Sequence, residues 1–319
     1  MAKVEASIEG PIQSVATDPT GTGADIVAMG MTIRFVPGTT ASGRTRTIKT
    51  PTKTLTPAEL RTPTSFPGRV ESGFVGGTVI AEGEFDTDTN LMLADFLQVE
   101  PAESVLLGAL TQNAAGTPRQ IQINGVPIVM LTDVRMPANP DDPSNPVFMN
   151  QYGFPFKIDT AVLSPTGPTP NPPPAPTSAE GYFAGNTFHA FLFEYGGTGT
   201  LVKDPVTTPQ ISMERASYRD EGTRVRFEAR GFVTSAHAGG AIQNVELIRV
   251  DLDPATGTLQ ETPVDSARVE VVEAGFQRWR VEFRGNKAGG FLSGIPLKVI
   301  VKNHSGPASA ELEPDVREP

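Results

Sequence analysis

The sequence predicts an all-β protein that contains two small β-barrels in tandem, followed by a β-sandwich. Three observations support this prediction. The 32 glycines and 30 prolines favour short strands and turns over helices. An internal repeat spans roughly the first 200 residues, and short alternating segments follow it at a spacing typical of a sandwich.

Composition excludes several classes of site. The formal net charge is −10, which argues against a broad phosphate-binding surface but leaves room for a local basic patch. There is no cysteine, so disulfides, thiolate metal sites and cysteine nucleophiles are excluded. No stretch is apolar enough for a membrane span, and the N-terminal residues lack the apolar core of a signal peptide.

The repeat consists of three matches in the same order. Residues 7–15 match 105–113, residues 25–35 match 121–131, and residues 79–100 match 177–197. The equivalent positions are Gly10 with Gly108, Gly30 with Gly125, Ala81-Glu82-Gly83 with Ala179-Glu180-Gly181, and Phe85 with Phe183. We interpret each unit as a first strand with a glycine at its bend, a hairpin turning at Gly30 or Asn124-Gly125, and a closing hairpin.

Each unit also carries a long insertion before its closing hairpin, at residues 36–73 and 136–177. The proline-rich run 164–177 lies in the second insertion, and we expect it to be an internal loop of barrel 2. The alternative is a semi-rigid linker before a new domain. The predicted domains are barrel 1 at 1–102, barrel 2 at 103–203, the sandwich at 208–312 and a tail at 313–319.

The pattern G-x-I-x-S at residues 10–14, a long variable middle, and A-x-G-x-F at residues 81–85 resemble a bacterial family of uncharacterised small-barrel domains. The resemblance covers roughly residues 5–200. It implies tandem OB-like barrels and an exported protein, and it carries over no catalytic residue.

Beyond residue 208 the pattern changes to six candidate strands: 211–218, 224–232, 243–252, 267–274, 278–285 and 296–304. In the fifth, Trp279, Val281 and Phe283 alternate with charged residues, which predicts one buried face. The spacing resembles an immunoglobulin-like or fibronectin-type sandwich without its disulfide. We expect Trp279 to be a core residue.

No catalytic or metal-binding pattern emerges. His189, His237 and His304 do not fall in metal-ligand spacing, and no nucleophile elbow or phosphate-binding loop is present. The segment "DTDTN" at 86–90 imitates the start of a calcium loop, but Leu91 and Leu97 occupy the positions that need Gly and Glu. We therefore predict a turn there, and no catalytic residue, metal or cofactor.

One basic segment stands out in this acidic chain. It contains Arg44, Arg46, Lys49, Lys53 and Arg61, with no acid before Glu59. We predict that these five residues bind a partner, and a solvated threonine-rich loop is the alternative. A protein partner is favoured over nucleic acid, because base-stacking aromatics are absent between Phe35 and Phe66.

The functional prediction is a non-enzymatic structural protein that packs into a multi-subunit assembly, either a surface filament or layer or a virion component. Its partners would be further copies or other structural subunits, at the cell surface, outside the cell or in a virion; a protein that stays inside the cell is the alternative. Long loops and terminal segments would form the contacts, with residues 1–7 or 308–319 docking on a neighbour's sheet edge.

Two other classes remain open. The first is a ligand-binding module for oligosaccharide or single-stranded nucleic acid on the barrel faces; nucleic acid is the less favoured ligand and a glycan is possible. The second is an enzyme, which would require Glu82, Glu84 and Glu180 to converge in a cleft.

Overall fold

The computed structural model describes residues 3–40, 45–137, 148–163, 175–205, 207–221, 223–234, 244–252, 259–273, 275–286, 296, 298–303, 309–312 and 315–317. The chain forms two compact units. The first comprises Met1–Asn150 and Pro155–Thr200, and the second comprises Gln151–Phe154 and Leu201–Pro319.

The first unit contains two barrels. The elements of barrel 1 are β1 (Lys3–Thr17), β2 (Ala24–Ala28), β3 (Met31–Phe35), β4 (Thr47–Lys49), β5 (Thr54–Leu55), helix α1 (Pro57–Leu60), β6 (Thr78–Asp86) and β7 (Leu91–Glu100). Those of barrel 2 and the segment after it are β8 (Ser104–Ala114), β9 (Gln120–Ile123), β10 (Val126–Met130), β11 (Phe148–Asn150), β12 (Phe156–Lys157), a 3-10 turn (Ile158–Thr160), β13 (Pro176–Ala184), β14 (Thr187–Tyr195) and β15 (Thr200–Leu201).

Both barrels are closed by five strands with the same topology. In barrel 1 the order is β3-β2-β1-β6-β7, and a parallel pairing of β3 with β7 closes the ring. In barrel 2 the order is β10-β9-β8-β13-β14, closed by β10 with β14. The first strand therefore pairs with the second and fourth, and the third pairs with the fifth, which is an OB-like arrangement. The prediction of two OB-like barrels is confirmed.

Local backbone requirements explain the repeated glycines. A bulge lies beside Gly83 in β6 and beside Gly181 in β13. A Cβ on Gly83 would lie 2.2 Å from the Leu93 carbonyl oxygen, and one on Gly181 would lie 2.0 Å from the His189 carbonyl oxygen. Only glycine permits this approach, so the repeated Ala-Glu-Gly motif reflects the fold.

The predicted hairpin turns are also confirmed. Met29 and Gly30 between β2 and β3 have φ values of 51° and 76°. Asn124 and Gly125 between β9 and β10 have φ values of 50° and 80°. Two consecutive positive φ values match the right-handed twist of the flanking strands, which is why Asn-Gly is favoured there.

Each insertion adds two short strands that the sequence did not predict, β4 and β5 in barrel 1 and β11 and β12 in barrel 2. β4 pairs in parallel with β7, and β11 pairs in parallel with β14. Three-residue strands are too short for an alternation to be recognised, so only the tertiary pairing reveals them. The run 164–174 lies outside the described residues, and β11 and β13, which come before and after it in the chain, both pair with β14 of barrel 2.

The insertion of barrel 1 closes one end of that barrel. Helix α1 has a capping box, in which Thr56 accepts from the Glu59 amide and Glu59 accepts from the Thr56 amide. This cap satisfies helix amides that would otherwise lack partners. It holds Leu60, which is 1% exposed, in one buried cluster with Ile26 and Phe35.

A buried arginine joins the two barrels. Arg135, in the chain after β10, donates to the carbonyl oxygens of Thr62 (3.2 Å) and Thr64 (2.9 Å) in the barrel 1 insertion. Its guanidinium also pairs with Asp133 at 2.7 Å and lies 3.9 Å from the ring centre of Phe66. Because the charge is paired and hydrogen-bonded on several sides, its burial is tolerated.

The second unit is a sandwich of two sheets, as predicted. Its strands are β16 (Ile211–Asp220), β17 (Arg224–Thr234), β18 (Asn244–Leu252), β19 (Leu259–Arg268), β20 (Glu270–Glu273), β21 (Phe276–Asn286), β22 (Lys298–Asn303), β23 (Ser309–Leu312) and β24 (Asp315–Arg317). One sheet has the order β20-β21-β17-β16-β24 and the other β19-β18-β22-β23. The strands are thus divided between two sheets, as in a β-sandwich.

The sandwich core forms between the two sheets. Trp279 is 1% exposed, and its indole nitrogen donates to the Ser212 carbonyl oxygen at 3.2 Å. The segment Gln151–Phe154 belongs to this unit, although it is distant in sequence. The Tyr152 ring stacks on Phe276 at 4.5 Å, and burial raises the pKa of Tyr152 to about 12.

The described parts of the terminal segments pair with other strands of the same chain, and their docking on a neighbouring copy stays a prediction. Residues 3–11 of β1 pair with β6 of the same barrel. β23 pairs with β22, and β24, within the predicted tail 313–319, pairs in parallel with β16. Both segments therefore use their backbone hydrogen bonds within the chain, which leaves fewer donors and acceptors for a neighbour's sheet edge.

Candidate interaction surfaces

The predicted partner-binding segment is largely engaged within barrel 1. Arg44 lies outside the described residues. Arg46 pairs with Asp95 at 2.9 Å, and the Lys49 ammonium lies 5.5 Å from the ring centre of Phe96. Both contacts reach β7, which follows from the parallel pairing of β4 with that strand.

The other two residues of the segment contact the region of α1. Lys53 pairs with Glu59 at 2.5 Å and donates to the Val134 carbonyl oxygen at 3.2 Å. Arg61 donates to the Thr17 hydroxyl at 2.7 Å. The four described side chains thus have partners inside the chain, and their role in binding another molecule stays a prediction.

The carboxylates of the enzyme hypothesis have different surroundings. Glu82 is exposed on β6, whereas Glu180 on β13 is half-buried. Burial raises the pKa of Glu180, with a smaller contribution from the nearby Glu100 and Glu194. The structure therefore places Glu180 near Glu100, at the end of β7, and near Glu194 of the adjacent strand β14. The match between Glu82 and Glu180 reflects the shared bulge.

His189 is half-buried on β14. Its ring stacks on Tyr182 with centroids 5.4 Å apart, and burial lowers its pKa. Tyr182 in turn donates to the Pro67 carbonyl oxygen at 2.8 Å. These contacts place His189 in the packing between the barrels. His237 and His304 lie outside the described residues.

The "DTDTN" segment forms the turn of the closing hairpin. The Asp86 carboxylate accepts from the amide of Asp88 at 2.9 Å, which is an Asx-type turn contact. Asn90 has a φ of 54°, which an asparagine tolerates well. Among the described residues, no group of three acidic or histidine side chains is placed to hold a metal ion.

The outer face of the five-stranded sandwich sheet carries a concentration of arginines, which we call the arginine face. Its two rows, each in cross-strand register, are Arg215, Arg230 and Arg280, and Arg219, Arg226 and Arg284. Like charges directly opposite one another destabilise a sheet. The two rows are therefore a feature that sheet packing alone does not explain.

A row of glutamates between the arginine rows offsets part of this repulsion. Glu228 pairs with Arg280 at 2.9 Å, and Glu282 pairs with Arg226 at 3.0 Å and Arg284 at 3.5 Å. Arg280 and Arg284 nevertheless remain 56% exposed. Arginines outnumber glutamates across these three rows, so the face keeps an excess of positive charge.

A cleft of about 540 Å³ lies along the arginine face. Its lining residues are Glu214, Arg230, Phe232, Arg268, Glu270, Arg278 and Arg280. The cleft gives the cationic surface a concave shape, and concave charged surfaces concentrate ions of opposite sign. The sequence showed the outward arginines of β21, but only the strand register aligns them with those of β16 and β17.

An opposite charge excess lies on the first unit. We call the residues Glu9, Glu100, Glu103, Glu180 and Glu194 the acidic cluster. A hydrogen bond with Glu103 and its charge raise the pKa of Glu9. Burial raises the pKa of Glu100, which Glu103 and Glu9 raise further. These carboxylates repel one another, and most of the acidic excess of the chain lies in residues 1–200.

Comparison with protein-family models, with curated proteins and with solved structures finds no match for this chain. Within the described residues, no helix combines the length and the apolar character that a transmembrane helix requires.

Proposed function

We propose that the protein is a non-enzymatic structural protein whose copies associate head to tail, with the arginine face of one copy against the acidic cluster of the next. The observation that carries the proposal is the pair of in-register arginine rows in a chain of net charge −10. A surface filament or layer or a virion component is the kind of assembly that such contacts would build.

Charge complementarity supports a second copy as the partner. Each surface holds an excess of one sign, and the two signs are opposite. Complementary charged surfaces accelerate encounter and suppress wrong pairings more than they add affinity. Because the two surfaces differ, their contact is heterologous, and heterologous contacts produce rings or open filaments.

Light scattering on the full chain at low and high salt tests the proposal. We expect particles larger than the monomer at low salt and smaller particles at high salt, since salt screens exposed charges. The double variant Arg230→Gln/Arg280→Gln should be monomeric. Lys302→Gln is the matched control, because this lysine pairs with Glu261 on the other sheet of the sandwich; it should assemble like the natural protein.

Mixing two variants tests the head-to-tail geometry. Arg230→Gln/Arg280→Gln keeps the acidic cluster, and Glu103→Gln/Glu180→Gln keeps the arginine face. Each should be monomeric alone, and a mixture should contain a one-to-one complex through the remaining intact pair of surfaces. A natural protein that is monomeric in all conditions, or variants that assemble normally, would overturn the proposal.

A further inference from the structure

Barrel 2 contains a second cleft of about 530 Å³, formed where the end of the barrel meets the 3-10 turn of its insertion. Its lining residues are Pro118, Arg119, Ile121, Ile128, Met130, Thr132, Phe148, Lys157, Ile158 and Asp159. Its volume lies within the range of small-molecule sites in proteins, and barrel ends are a common place for such sites.

The inner wall of the cleft is apolar. Ile121, Ile128 and Phe148 are at most 4% exposed and belong to the barrel interior. Met130 is half-exposed at the end of β10 and offers a flexible thioether to the cleft. An apolar ligand group would therefore displace water mainly from the carbon surface of Met130 and of the exposed Pro118, above this buried wall.

The rim of the cleft holds an oriented arginine. The Arg119 Nε donates to the Asn113 side-chain oxygen at 2.7 Å. The Asn113 side-chain nitrogen donates to the carbonyl oxygens of Ile158 (2.7 Å) and Ala161 (3.2 Å). These bonds fix Arg119 relative to the 3-10 turn. Among the described residues, its two terminal nitrogens have no hydrogen-bond acceptor.

A second cation and one acid complete the rim. Lys157 is exposed and has no ion-pair partner within the described part of the chain. Asp159, also exposed, is the acidic side chain in the lining. The two cations outnumber it, so the rim favours an anion. A guanidinium whose terminal nitrogens are free matches a carboxylate, which it can bind through two parallel hydrogen bonds.

We propose that this cleft binds an amphipathic monocarboxylate, with the carboxylate on Arg119 and Lys157 and the apolar tail against Pro118 and Met130. The lining favours this class over a sugar or a nucleobase. Those ligands stack on exposed aromatic rings, and the aromatic side chain of the lining, Phe148, is 1% exposed. The site is independent of the proposed association between copies.

Isothermal titration calorimetry on the full chain tests the proposal, with decanoate, decanol and decylamine as probes. We expect saturable, one-to-one binding of decanoate. Decanol should bind about tenfold more weakly or worse, because it lacks the charge-assisted hydrogen bonds, which contribute at least about a factor of ten. Decylamine should bind more weakly still, since both cations repel it.

Two variants assign the site. Arg119→Gln should weaken decanoate binding about tenfold and leave decanol binding unchanged. Met130→Trp places a larger side chain in the cleft and should weaken both ligands. Arg34→Gln, which removes an arginine of barrel 1 that pairs with Asp25, is the control and should bind as the natural protein does. Circular dichroism checks that each variant is folded.

The proposal is overturned if decanoate does not bind, if the three probes bind equally, or if folded Arg119→Gln and Met130→Trp proteins bind decanoate with unchanged affinity. Equal affinities would indicate an apolar surface without charge selection. None of these results depends on whether copies of the chain associate.

Discussion

The two barrels share one strand repeat, yet their insertions fill the barrel ends differently. In barrel 1 the capped helix α1 buries Leu60 in the same cluster as Phe35, the last residue of β3. In barrel 2 the equivalent position at the end of β10 is Met130, which stays half-exposed beside a cleft. Insertions, rather than the repeated strands, therefore decide which barrel keeps room for a ligand.

The largest effect is expected at Arg135, the buried arginine of barrel 2 that joins the two barrels. The substitution Arg135→Leu should destabilise the protein by about 3–5 kcal/mol, because it leaves the mostly buried Asp133 carboxylate uncompensated. Urea unfolding measures this. As a control, Arg34→Leu removes a more exposed pair with Asp25 and should cost less than about 1 kcal/mol. Equal losses would show that Arg135 does not hold the two barrels together.

Shortening one buried side chain in each insertion compares how tightly the two barrel ends are packed. Leu60→Ala should lower the free energy of unfolding by about 3 kcal/mol, since removing this buried side chain leaves a cavity in the core. Ile158→Ala should cost about half as much, because its side chain already borders the cleft. Thermal unfolding of both variants provides the comparison. A larger loss from Ile158→Ala would contradict the difference in packing.

Glycines at equivalent repeat positions offer a finer comparison. A Cβ on Gly108 would lie 2.2 Å from the side-chain nitrogen of Asn124. The side-chain oxygen of Asn124 accepts a hydrogen bond from the Ala109 backbone amide, so this side chain cannot move away freely. Gly108→Ala should therefore cost about 1–2 kcal/mol. A Cβ on Gly10 would meet the end of the exposed Met29 side chain, which can move away, so Gly10→Ala should cost less than about 0.5 kcal/mol.

Denaturant midpoints of the two alanine variants measure this difference. Gly108→Ser adds a similar clash and should behave like Gly108→Ala. If Gly10→Ala proved the more costly substitution, the turn of barrel 1 would be the more rigid one.

The cap of α1 gives a pH-dependent contribution that is specific to barrel 1. A hydrogen bond from Lys53, followed by one from the Thr56 amide, lowers the pKa of Glu59 to about 2. Since this pKa is below the ordinary value, the contribution is present above about pH 4.5 and is lost as the pH falls towards 2.

Thr56→Ala should cost about 1 kcal/mol through the lost cap. Glu59→Gln should be less stable than the natural protein at neutral pH, and the difference should disappear near pH 2. Unfolding experiments at both pH values test this expectation. A difference that does not change with pH would mean that the Glu59 charge does not stabilise the helix.

Much of the fold could be predicted from local patterns. The Asn124-Gly125 turn and the alternation around Trp279 are short-range signals, and both are found as expected. The recurrence of Gly83 and Gly181 was also visible, although the bulges beside them were not predicted. Strand boundaries in the sandwich were less predictable. β19 begins at Leu259, close to a segment whose Asp, Pro and Gly residues indicate a turn.

The candidate sites were harder to predict. The basic segment was visible, but its pairing with Asp95 and Glu59 depends on residues far away in the chain or on the exact helix cap. The cleft of barrel 2 left no signal, because its lining comes from four separate parts of the sequence. A sequence pattern can assign a side chain to a face, but it cannot show what packs on that face.

The sequence by itself determined the all-β class, the duplication and the turn positions, because these depend on the φ preferences and alternation of neighbouring residues. Only the tertiary structure decided that the insertions add parallel strands, that arginines from three strands align in rows, and that one barrel end stays open. These features depend on strand register and long-range packing, where residues distant in the chain determine one another's surroundings.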